Sequence, residues 1–435
     1  MKIVSKAFLI PKKDLRLDGL KGVRDYYVQK IQPRFSNCSP IRFVIVKNNN
    51  SGFHCEIDFI EYDKRDRIFI NENKNIFDYK KRIFENTDKF TAAMIIPTGI
   101  GAEIGGFCGD GNAAARLLAS ACDTLITHPN VVNASDINEM TENTLYIEGS
   151  ILTKLFMGKI GLQKTRTNRL LMIMDKVKDE YFNNEVINAV SSARVTLGVE
   201  CDVLEIANPI ESRSVYSESG RAVGIVNKFE NLVNLIKSIR NEYDAIGLTT
   251  VIKVSKEMRK VYFTGGDGMV NPWGGLEAMI THSLAEIFDL NCAHSPLSGD
   301  MGELPVDDFG IVDPRKAPET ASVTFLHCIL KGLQKAPRIT EYGKGINLDD
   351  ISCLVTTDGC IGLPLLACLE NDIPVIAVKN KNKMKNDLKT LPFKNGKLFF
   401  ANNYLEAAGI MTALKAGVST QSVQRPIAKT KLIKK

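Results

Sequence analysis

The chain contains no C-x-x-C pair, although it carries 10 cysteines. They are scattered, several inside apolar runs such as residues 117–123 and 363–370. This excludes the usual zinc frame and argues against a disulfide scaffold, and it fits reduced thiols. Long hydrophobic runs are also missing. Only four consecutive apolar residues precede Pro11, short of the roughly 7 to 15 of a secretory segment. No stretch approaches the roughly 18 apolar residues of a membrane span. A cytoplasmic protein with no membrane association is expected. Neither sign of charge dominates, with 56 basic and 50 acidic residues and a net charge of +6. Nucleic-acid binding is therefore not demanded. No internal repeat is present, and tryptophan occurs once, at Trp273.

What is present is enough apolar material, 44% of 435 residues, to bury a core shared by two or three units. Residues 1–88 read as a small α+β appendage. Apolar runs at 41–47 and 53–62 flank an Asn-rich turn suited to a hairpin, 67–70 offers a third strand, and 20–32 has helical spacing. From residue 89 short apolar strands alternate with amphipathic helices. That alternation predicts an α/β fold with mainly parallel, Rossmann-like sheets and flanking helices. The expected organisation is an α/β domain over 89–255, a second α/β domain or half over 256–419, and a flexible basic tail from 420 to 435. The long irregular stretch 298–319 has the length of a functional or flexible loop.

Glycine-rich loops mark the candidate site. The strand at 90–97 empties into a loop holding Gly99, Gly101, Gly105, Gly106 and Asp110 and then into a helix, a pattern that turns backbone N–H groups toward a ligand. The loop lacks GxxxxGK[ST], and its spacing does not match GxGxxG. It therefore predicts a generic polar or anion site, or simply close packing of helix on strand, with Asp110 as a helix cap. The next strand ends in THPNVVN, which supplies His128, Asn130 and Asn133 where open α/β sheets place ligands. With no HxxxH or HExxH, no metal site is assigned. A second loop, GGDGMVNPWGG, places Asp267 and Asn271 ahead of a helix opened by Gly274 and Gly275. Trp273 stacks on a ligand or packs at a junction, and His282 reads as structural.

The sequence CAHSP supplies His294 and Ser295, without the GxSxG elbow of a serine hydrolase. In VTTDGCIGLPLL, Asp358 and Cys360 precede a helix whose first turn contains Pro364. A thiol just ahead of a helix N-terminus has a lowered pKa and becomes a nucleophile, with His128 or His294 as its acid/base partner. The alternative is an inert turn cysteine.

The strings PTGIGAEIGGFCGD, THPNVVN, LYIEG, GGLEAMITH, CAHSP and FLHCILKGLQKAP, in this order, resemble a bacterial and largely cyanobacterial family known only as a domain of unknown function. The resemblance covers about residues 90–410 and implies no established reaction. This chain has GFCGD where the family pattern reads GYAGD, and ASDINEM where the pattern has an aromatic stretch. A local likeness to sugar-nucleotide epimerases and two-domain glycosyltransferases is confined to TTDGCIG and NDIPVIAV.

The expectation is an enzyme acting on a small polar or anionic metabolite by lyase, hydrolase or group-transfer chemistry, with His128, His294 and Cys360 as catalytic candidates. A sugar-nucleotide transferase or epimerase and a non-catalytic ligand-binding protein fit the same loops. The cofactor is unknown, and homo-oligomerisation stays open.

Overall fold

The N-terminal region forms β1 (Lys2–Ile10), α1 (Leu20–Tyr26), β2 (Cys38–Asn49) and β3 (Gly52–Glu61). The hairpin and the helix match the sequence pattern. The strand expected at 67–70 is instead a 3-10 turn, Asp66–Phe69, because the Asp63 carboxylate accepts from the N–H groups of Arg65 and Asp66 and starts a helical turn. The structure is a computed structural model. It describes all 435 residues except 71–74, 134–135, 137–138, 267, 298–309, 321–323 and 434–435.

The chain continues with β4 (Thr91–Ile95), α2 (Asn112–Ala119), β5 (Thr124–Thr127), α3 (Pro129–Val132), β6 (Thr144–Tyr146), α4 (Gly149–Phe156), β7 (Ile160–Gln163) and β8 (Arg169–Asp175). Next come α5 (Glu180–Leu197), β9 (Glu200–Ile206), β10 (Glu211–Tyr216), β11 (Ala222–Asn227), α6 (Phe229–Ile239) and β12 (Ala245–Lys253). Helices α7 (Lys256–Thr264) and α8 (Gly274–Phe288) precede β13 (Asn291–Leu297), α9 (Leu326–Gln334) and β14 (Arg338–Glu341). The last elements are β15 (Ile351–Thr357), β16 (Ile361–Gly362), α10 (Leu363–Glu370), β17 (Val375–Val378), β18 (Leu398–Ala401) and α11 (Tyr404–Lys415).

These elements make an α/β fold around two large sheets. The smaller is six-stranded and wholly parallel, in the order β18-β17-β15-β4-β5-β6. Its strands are buried on both faces, which explains their near-continuous apolar sequences. In β4, Ala92 and Met94 join the core under α2 and α11, while Ala93 faces the core under α4 and α10. The larger sheet is mixed. β12 pairs in parallel with β8 and β13, and its last residues pair with β10. The N-terminal α+β region extends this sheet: β1 pairs with β11 and β3, and β2 carries β16 on its other edge. Helices α6 and α8 pack on one face and α5 and α9 on the other.

Local chemistry sets the helix ends. Asp179 caps α5, which stops at Gly198 in the left-handed conformation, and Asn403 caps α11. Among the described residues no helix is long and apolar enough to cross a membrane.

Candidate active site

The carboxyl ends of β4, β5 and β6 face β12 and β13 across a cavity of about 170 Å³. Its walls carry three histidines, His128, His282 and His294, and three glutamates, Glu148, Glu277 and Glu319. The chain has five histidines in all, so this is a strong local enrichment.

Glu148 lies just past β6 and caps α4. Its Oε2 accepts from Ser150 N at 2.6 Å, Ser150 Oγ at 2.6 Å and Ile151 N at 3.2 Å. Its Oε1 accepts from Thr281 Oγ1 at 3.1 Å and pairs with His282 Nδ1. Burial alone would raise this carboxyl, but His282 and the Ser150 donors hold it down to about 2. Glu148 is therefore an anion at neutral pH, and the His282 proton facing it sits on Nδ1. Among the described residues His282 Nε2 has no hydrogen-bond partner, and the ring lines the cavity. Gly149 makes room for this ring, since a Cβ there would meet His282 Cε1 at 2.7 Å.

His128 has the same tautomer, fixed from the other side of the ring. Its Nε2 accepts from the backbone N–H of Ile96 at 3.2 Å. A backbone N–H can only donate, so the ring is neutral with its proton on Nδ1. Burial, helped by the neighbouring His282, lowers its pKa to about 4. His294 Nε2 shares a hydrogen bond with Thr250 Oγ1 at 2.8 Å. Its Nδ1 is buried without a hydrogen-bond partner among the described residues, with Glu277 Oε1 3.9 Å away.

Glu319 supplies the contrasting carboxyl. Burial pushes it up to about 8, with the Glu277 charge adding to the rise, despite donation to Oε1 from Tyr262 Oη at 2.6 Å and Asn271 Nδ2 at 2.9 Å. It is protonated at neutral pH. Asn271 also accepts from Trp273 N at 2.9 Å and Gly274 N at 3.0 Å, tying the start of α8 to this acid. The N–H of Gly274 is thus satisfied within the protein.

Of the residues singled out in the sequence, His128, Asn130, Asn133, Asn271, Gly274, His294 and Ser295 line this cavity. Asn130 braces the wall by donating to the Ile96 and Gly105 carbonyls, both at 2.8 Å. Ser295 Oγ donates to Thr324 O at 2.8 Å. Trp273 is on the wall and also packs edge-on against Tyr262.

Gly99, Gly101, Gly105, Gly106 and Gly275 pack against protein instead. A Cβ would lie 2.7 Å from Ala222 O at Gly99, 2.8 Å from Val270 Cγ2 at Gly101, 2.5 Å from Ile96 Cδ1 at Gly105 and 2.1 Å from Ala102 O at Gly106. At Gly275 it would lie 1.9 Å from Ala222 O. Asp110 folds this loop by accepting from Gly105 N at 2.7 Å, and burial lifts its pKa to about 6. Asp358 is half-buried and accepts from Gly359 N at 2.8 Å. Asp267 lies outside the described residues.

Cys360 opens onto an adjoining cavity that shares His128 and His282 with the first. Burial pushes its thiol well up, opposite to the activation expected from a helix N-terminus. The short strand β16 intervenes between Cys360 and α10.

The sequence reading missed Glu148, Glu277, His282 and Glu319. Glu148, Glu277 and His282 sit inside the strings LYIEG and GGLEAMITH, so the signal was present without a spacing to decode it. Among the described residues no three His, Cys, Asp or Glu side chains are grouped to hold a metal ion.

An α/β fold with a polar cavity at strand carboxyl ends is common to many proteins, and the family comparison narrows it. The chain belongs to the family described as "Protein of unknown function (DUF3326)", whose model matches residues 91–424. The resemblance carried by the ordered strings from PTGIGAEIGGFCGD to FLHCILKGLQKAP is thereby confirmed. The chain is similar to an uncharacterized lipoprotein of the cyanobacterium Synechococcus sp., 29% identical over 337 residues that cover 75% of this chain and 91% of that one. No solved structure matches. All six of the cavity's histidines and glutamates lie within the matched residues.

Proposed function

We propose that the chain is an enzyme that transfers protons on a small polar or anionic metabolite, in a lyase-type reaction. The observation that supports this most is the split in carboxyl protonation inside one cavity: Glu148 at about 2 and Glu319 at about 8. Paired groups pushed apart in this way are how one site holds both a base and an acid at neutral pH. In this reading His282, oriented by Glu148, takes a proton on Nε2. Glu319 donates a proton to the departing or rearranging group. His128 presents Nδ1–H to a substrate oxygen as a neutral donor, and Arg259 on the same wall attracts an anionic substituent. A covalent route through Cys360 has less support, because its thiol is buried and held protonated.

A thermal-shift screen against carboxylic and hydroxy acids, amino acids, nucleotides and sugar nucleotides, followed by mass-spectrometric turnover assays on the hits, tests the proposal. Stabilisation by small acids is expected, with turnover lost in His282→Asn and Glu319→Gln. Stabilisation by sugar nucleotides alone, or binding of small acids with no turnover of any of them, would overturn it.

A further inference from the structure

Behind Thr98, His128, Gly149 and His282 lies the second cavity, of about 130 Å³, which shares these four residues with the first. Its character differs. Beyond the shared residues its closure is mainly apolar, with Ile41, Phe43, Val44, Leu152, Ile361 and Met384 among its walls. The charged groups that reach it are balanced inside the protein. Arg42 and Arg221 share Asp58, at 2.6 and 3.1 Å, and Arg221 also faces Glu56 at 2.9 Å. Glu286 faces Lys154 at 3.4 Å. The volume is close to that of the roughly 150 Å³ apolar cavity that admits benzene.

We infer that the substrate is amphiphilic: its reacting polar end lies against His282 and Glu319, and it carries an apolar group of about benzene size that passes Thr98 into the second cavity. This rests on the acid–base reading for the identity of the reacting end. Thr98, His128, Gly149 and His282 form the boundary between the two spaces; the His282 ring packs over Gly149 and touches both, and Thr98 is the small side chain beside it. A polar compartment joined to an apolar one through the base positions a substrate by its apolar group and leaves the reacting atoms at the imidazole. The wall that selects the apolar group is distinctive in origin. Ile41, Phe43 and Val44 belong to β2, ahead of the matched residues 91–424. The N-terminal region thus shapes specificity, while the acid–base groups lie in the family segment.

Straight-chain carboxylates from acetate to octanoate, titrated calorimetrically into the full chain, test this, with the carboxylate standing for the polar end. Affinity is expected to rise about fourfold for each methylene buried and to level off near about six carbons, the size of benzene. Val44→Phe and, separately, Cys360→Ile add volume at two points of the wall and should end the rise at a shorter chain. The melting temperature of each variant shows whether it is folded. A flat series in the wild type, or a rise that persists unchanged in both folded variants, overturns the inference. The two proposals fail separately. A flat series with turnover lost in His282→Asn leaves only the acid–base reading standing, whereas a rising series without turnover of any metabolite leaves only the apolar compartment.

Discussion

At the scale of single residues, the site is defined by what burial does to identical side chains. Glu148 and Glu319 are both buried glutamates, yet five donors surround one and two the other, and a like charge adds to the rise at Glu319. Glu319 holds its proton up to about 8 when folded, against an ordinary value of 4.5. The folded state therefore binds a proton that the unfolded chain releases between these two values, and stability falls as pH rises through that window, by up to about 1.4 kcal/mol per pH unit. Glu319→Gln should remove this slope, so urea denaturation of the variant and the wild type at several pH values should converge near pH 4.5 and diverge toward pH 8. Parallel stability profiles would contradict the assignment. Glu148 works in the opposite sense. Its depressed pKa contributes stability that is present above 4.5 and lost as pH falls toward about 2. Glu148→Gln removes a charged acceptor from buried donors and is expected to cost about 1–3 kcal/mol at neutral pH, measurable by the same denaturation.

At the scale of elements, the start of α8 shows why glycine patterns were legible as loops but not as ligand contacts. The GG pair reads from sequence as an exposed helix N-terminus, yet Gly275 is pressed on the Ala222 carbonyl and Gly274 alone reaches the cavity. A Cβ at Gly275 would meet backbone at 1.9 Å, which no side-chain rotation relieves, whereas at Gly274 the nearest atom is Thr98 Cγ2 at 3.4 Å. Gly275→Ala should therefore destabilise by about 1–3 kcal/mol or more as α8 is forced off β11. Gly274→Ala should leave stability within about 0.5 kcal/mol, and chemical denaturation of the pair checks the contrast. The strands were readable because β4, β8, β12 and β15 are short apolar runs bounded by turn residues. β1 was not, since its two adjacent buried residues, Ile3 and Val4, and its partly exposed middle break the alternation. The Glu148–His282 pair was invisible for a related reason: 134 residues separate its members, and only the packing of α4 against α8 brings them together.

At the scale of the whole molecule, the site exists because two sheets direct their carboxyl ends at one another. His128 and Glu148 come from the parallel sheet, while His294 comes from a strand of the mixed sheet and His282 and Glu277 from a helix packed on it. The alternation of strands and helices announced the fold class, but no local pattern states that two sheets meet, so convergence of the loops was only an expectation. The N-terminal region matters for the same reason. β1 sits between β3 and β11 inside the larger sheet, and removing residues 1–88 would expose unpaired strand edges and the apolar side of α8. The segment 89–435 expressed alone is expected to aggregate or to lose its cooperative thermal transition, as light scattering and calorimetry would show.

The most direct measurement is the exchange of carbon-bound hydrogen for deuterium in D2O, followed by NMR over a panel of small hydroxy, keto and amino acids with wild-type protein and His282→Asn. An imidazole base oriented by Glu148 predicts that the wild type catalyses exchange or elimination in at least one acid, and that the variant slows it by roughly 100-fold or more. Exchange by no member of the panel, or equal rates in the two proteins, would contradict an acid–base site in this cavity.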